Sequence, residues 1–175
     1  MIDNDDDAAY RARVKENYSF SEWAGHTKRG DRDVRITDFN LAAEEISEWK
    51  LAEREDLPPS SRQRQIVRYV FNSGGKGRRL VATVFECNSV IEAHETLIDV
   101  VMTYMAPKLP RCGEKGLEIG DICFAGHGDV NVSVIFARFN ILAEIQSVGS
   151  EPASIDSFAR SVDEMVDSRY QGSKA

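Results

Sequence analysis

The chain has 175 residues, 22 Lys and Arg against 29 Asp and Glu, a formal net charge of -7 and 42% hydrophobic residues. That composition suits one compact domain with a substantial core and excludes collagen-like, coiled-coil and wholly disordered chains. No run of about 18 consecutive apolar residues occurs, so no membrane span is expected, and the net negative charge argues against general nucleic-acid binding.

Asp3, Asp5, Asp6 and Asp7 give residues 1–9 the character of an acidic disordered tail. Residues 10–170 read as a single domain without repeats or internal linkers, and 171–175 as a frayed end. Tyr10, Val14 and Tyr18, four apart, predict a helix over 8–24, and the polar stretch 25–33 a loop. Asp38 is placed to cap a helix beginning near Asn40, with Leu41, Ala42 and Ile46 on one side; whether it runs through Trp49–Glu55 is left open, and Pro58 and Pro59 end it. Trp23 and Trp49 either anchor this N-terminal third to the core or expose a contact patch.

The pattern then changes to period two. Val67, Tyr69 and Phe71 alternate, as do Val81, Thr83 and Phe85, and the Gly-rich run 72–77 between them predicts a β-hairpin. Ser89 and Glu92 form a capping-box pattern opening an amphipathic helix over 89–106, ended by Pro107. Asp121–Ala125 reads as a short strand before a turn, and Val130, Val132, Val134 and Phe136, then Ile141, Ala143 and Ile145, mark two more strands. The tight link at Arg138-Phe139-Asn140 points to a hairpin with Asn140 in a left-handed position. Ser154 caps a final helix whose Ile155, Phe158, Val162, Met165 and Val166 face inward. Together these elements predict an α+β single domain, a mainly antiparallel sheet of about five strands packed with amphipathic helices. The order is similar to that of many small bacterial domains, and no motif in it names a family.

No catalytic fingerprint, cofactor motif or metal-ligand spacing emerges. His94 falls on the apolar stripe of the 89–106 helix, where it either lines a pocket between helix and sheet or packs as a core residue. Cys123, with His127 four residues on, is the second candidate for such a pocket; the alternative is a small packing residue. Residues 60–80 carry six cations and no acid, so Arg68, Lys76, Arg78 and Arg79 are candidates for an anion or nucleic-acid contact, set against a solvated turn.

Three cysteines cannot all pair within one chain, which favours a reducing compartment; a Cys112–Cys123 bridge is the alternative if the chain is exported. The start, with no basic residue and no apolar stretch, gives a cytoplasmic expectation, with export and signal removal as the alternative. The leading functional expectation is a non-enzymatic binding or accessory protein without a cofactor, of inhibitor or immunity type. Its acidity would steer it to a basic partner, most readily another protein. The second is a small-molecule site or enzyme at His94, and the third an anion or nucleic-acid contact through the basic hairpin. Oligomeric state is left open.

Overall fold

The computed structural model describes residues 4–23, 33–41, 46, 48–74, 77–104 and 108–172. Lys76, Pro107 and residues 1–3 and 173–175 lie outside the described residues. Three helices, α1 (Asn4–Asn17), α2 (Val90–Thr103) and α3 (Asp156–Gly172), flank one six-stranded sheet. Its strands are β1 (Trp49–Leu57), β2 (Gln63–Ser73), β3 (Arg79–Cys87), β4 (Ile122–Ala125), β5 (Ser133–Arg138) and β6 (Ile141–Ser147). Every pairing is antiparallel, in the order β1-β2-β3-β6-β5-β4. Two three-stranded meanders are thus joined edge to edge through β3 and β6, and α2 carries the chain from β3 to the far edge. The α+β antiparallel expectation holds, with six strands in place of about five.

The additional strand is β1, over the stretch Trp49–Glu55 that the sequence left undecided. Lys, Leu, Ala, Glu and Arg there are good helix formers, but the pairing with β2 prevails over propensity. Glu55 lies opposite Arg68 in the register, with 3.7 Å between carboxylate and guanidinium. Arg54 adds a pair with Asp56 along the strand at 2.6 Å, so an acid-rich strand closes against a basic one. Asp38, expected to cap a helix, instead ends a 3₁₀ turn, Ile36–Asp38. At the start of the chain, α1 opens at Asn4, inside the stretch expected as a disordered tail, because Asp residues suit the positive end of a helix dipole. At the other end α3 continues to Gly172, past the start of the expected frayed segment.

The sheet is buried on both faces across β4, β5 and β6. On one face, α3 and Val34, Ile36, Phe39, Leu41, Ile46 and Trp49 pack with Val67, Tyr69, Phe71, Leu80, Phe136 and Ile145. On the other, α2 with α1 outside it covers Phe124, Ile135, Ala137 and Leu142. Trp23 and Trp49, 3% and 1% exposed, are anchors and not a surface patch. Ser89 accepts from the Glu92 amide at 3.2 Å, so the predicted cap opens α2. The β5–β6 turn departs from expectation: Phe139, φ 55°, takes the left-handed position, which leaves the Asn140 side chain free to bond elsewhere. Gly149 is required where the β6 exit crosses the β2–β3 turn, since a Cβ there would sit 2.6 Å from the Arg79 amide nitrogen.

Helix α1 is held to α2 by charge. Arg11 and Lys15 each reach Glu95 at 2.5 Å, and Arg11 also pairs with Asp99. Burial pushes the Glu95 carboxyl up, yet the hydrogen bonds and charges of Lys15 and Arg11 outweigh it and hold the group below the ordinary carboxylate range. A depressed folded-state pKa means stability that is present above the unfolded value and is lost as pH falls toward the folded one. Acidification below about pH 4 should therefore loosen α1 from α2. Amide exchange in α1 that rises before exchange in the sheet would show it, whereas simultaneous loss of protection would count against it.

Candidate functional site

The most elaborated polar site lies where β4 and its preceding loop meet α3. A cavity of about 390 Å³ opens there, walled by the Cys112–Cys123 disulfide, Glu118, Gly120, Asp121 and Arg138. Cys112 starts a 3₁₀ turn, Cys112–Lys115, and Cys123 lies in β4, with 5.4 Å between their Cα atoms. Of the two readings of the cysteines, the bridged alternative is the one formed, and Cys87 is left as the free thiol. Chain reversal through the left-handed Gly116 returns the loop to β4, and this brings two cysteines eleven residues apart within bridging reach.

Arg138, at the end of β5, is the electrostatic centre of this site. Its Nε and Nη2 donate to the two carboxylate oxygens of Asp163 at 2.8 and 2.6 Å. Asp121 and Asp167 stand at 3.8 and 4.0 Å. The Asp163 hydrogen bond, opposed by burial, raises the guanidinium pKa above its ordinary value. The carboxylates have second tasks. Asp163 accepts from the Gly120 amide at 3.0 Å, and Asp121 from the Phe139 amide at 2.9 Å. Gly120 takes φ 67°, and a Cβ would come 2.8 Å from the Ala137 carbonyl, so glycine is needed for this approach. The group joins loop, β5 and α3 through charge-assisted hydrogen bonds, a structural task.

The residues singled out from sequence are not gathered into one place. His94 is fully buried on α2, its ring edge-on to Trp23 at 5.5 Å between centroids. Cys123 packs on the opposite, α3-facing side of the sheet and is bridged. Cavities of about 390, 360 and 260 Å³ mark the surface, and His94 lines none of them. His94 and Cys123 thus lie on opposite sides of the sheet.

Three arginines of the basic hairpin face carboxylates of β1 or of the residue before it. Arg68 faces Glu55 at 3.7 Å, Arg78 reaches Glu48 at 2.9 Å and Arg79 reaches Glu53 at 3.4 Å. Arg78 and Arg79 also line the 360 Å³ cavity with Asn72 and Ser150. Elsewhere Arg62 pairs with Asp99 at 2.5 Å, and Arg35 and Arg64 share Glu86 at 3.1 and 3.7 Å. Sequence reasoning missed Arg138 and Asp163. The available signal was an Asp beside the inward stripe of α3 and an Arg closing a strand, each ordinary by itself.

No protein-family model, curated protein or solved structure matches this chain. Among the described residues no group of three or more His, Cys, Asp or Glu is placed to hold a metal ion, and no helix is long and apolar enough to cross a membrane.

Proposed function

We propose that this chain is a non-enzymatic binding protein that engages a basic partner protein through its surplus negative charge. The observation that carries this reading is the use made of positive charge. Arg11, Arg35, Arg62, Arg64, Arg78 and Arg79 are all committed to internal ion pairs, and so is Arg138. Carboxylates such as Glu16, Glu118 and Glu164 are exposed and make no side-chain ion pair or hydrogen bond among the described residues. With a net charge of -7, the field that an approaching molecule meets is negative, which repels nucleic acid and draws in Lys- and Arg-rich surfaces. For compartment, the Cys112–Cys123 bridge supports the exported alternative over the cytoplasmic one.

The test is capture from a lysate followed by kinetics on the captured protein. Replacing Glu16, Glu118 and Glu164 together with Lys should slow association about tenfold at low ionic strength. That difference should shrink as salt rises toward physiological levels. A partner that associates at the same rate with both forms, or whose binding ignores salt, would overturn the proposal. Recovery of nucleic acid that depends on Arg78 and Arg79 would replace it with contact through the hairpin.

A further inference from the structure

We infer that the Cys112–Cys123 disulfide is a thiol-exchange site, one that a small dithiol can open from the adjoining cavity while the sheet stays folded. Two observations carry this, and neither depends on the proposed partner.

The first is access. Both cysteines belong to the wall of the 390 Å³ cavity, whose rim includes the exposed Gly113 and Glu118. The bridge therefore adjoins space that a reagent can enter, although Cys112 and Cys123 are only 1% and 6% exposed as whole residues.

The second is what holds the loop once the bridge is gone. Arg160 donates to the Gly116 carbonyl at 3.0 Å and Asp163 accepts from Gly120 at 3.0 Å, so α3 grips the loop at two points. Lys115 donates to Gly126 at 2.9 Å, and the Ala125 amide to Pro110 at 3.0 Å, which fixes both flanks to the sheet. Leu117 is fully buried beneath the turn. These contacts are independent of the sulfur–sulfur bond, so its cleavage is a local event and not the first step of unfolding.

The exchange balances with the dithiol as reductant. Its thiolate attacks one cysteine sulfur, a mixed disulfide forms, and the other cysteine leaves as a thiolate. The reagent's second thiolate then displaces the remaining cysteine and closes the reagent into a cyclic disulfide. Two electrons pass to the protein, and the two cysteine thiolates take protons from water.

The third cysteine supplies an internal control. Cys87 ends β3 and is fully buried, with its sulfur 3.8 Å from the Thr96 hydroxyl. Burial pushes its thiol up to about 12, so in the folded chain it is protonated and shielded from alkylation. Labelling of Cys87 reports opening of the sheet itself.

The experiment treats the full chain, prepared without reductant, with dithiothreitol in native buffer. Iodoacetamide follows at timed intervals, with mass spectrometry of each cysteine peptide. Cys112 and Cys123 should be protected from alkylation before reduction. After it they should label together, about tenfold or more faster than Cys87, with the far-ultraviolet circular dichroism unchanged. Three outcomes would overturn the inference: labelling of all three cysteines at one common rate, a bridge that survives the dithiol in the folded chain, or free thiols at 112 and 123 from the outset.

Discussion

Replacing Asp163 with Ala should cost about 3–5 kcal/mol and lower the Tm by about 10 °C. Asp163 is 6% exposed and receives both the Arg138 fork and the Gly120 amide. Without it, a guanidinium whose side chain is 16% exposed is left to Asp121 and Asp167, at 3.8 and 4.0 Å. A buried charge that loses its partner costs far more than the pair contributes when intact. The double variant Asp163→Ala with Arg138→Met should therefore be less destabilised than the sum of the two single changes. Asp163→Asn keeps an acceptor for Gly120 and should fall between wild type and Asp163→Ala. Chemical denaturation of wild type and the four variants reads all of this. A loss within about 0.5 kcal/mol for Asp163→Ala would place the group among ordinary surface pairs.

The parts of the fold that could be read from the chain are those whose cause is local. The β2–β3 hairpin announces itself through alternation on either side of a glycine-rich turn, and α2 through Ser89, whose hydroxyl accepts from an amide three residues on. β1 could not be read in this way. Its residues favour a helix, and what makes it a strand is the antiparallel pairing with β2, brought alongside only by the fold. The arginines that suggested an anion site face the carboxylates Glu48, Glu53 and Glu55. The same limit hid the polar site. Asp121, Arg138 and Asp163 are separated in sequence, each unremarkable until the β5–β6 hairpin and α3 meet. His94 lay correctly on a buried stripe, yet its surroundings depend on Trp23, a residue of the N-terminal segment with no sequence signal tying it to α2.

Asn140→Ala should destabilise the chain by about 3 kcal/mol, because three buried backbone groups lose their partner at once. The side chain is 1% exposed and replaces a missing strand neighbour. Its Oδ1 accepts from the Val34 amide at 2.7 Å, while Nδ2 donates to the Val34 and Cys87 carbonyls at 2.9 and 3.1 Å. Val34 leads the segment that carries Ile36, Phe39 and Leu41 into the α3-facing core. The amide thus fastens that segment to the central strands, a role open to it because Phe139 and not Asn140 occupies the left-handed position. Asn140→Asp distinguishes hydrogen bonding from shape. The carboxylate keeps the volume and can still accept from the Val34 amide, but it turns an acceptor toward two carbonyls. It should be no more stable than Asn140→Ala at neutral pH. Amide exchange at Val34 should accelerate in both variants before exchange in β3 does. An Asp variant near wild-type stability would mean that volume alone holds this segment. An unchanged Val34 amide in the Ala variant would mean that the core side chains of the segment suffice to dock it.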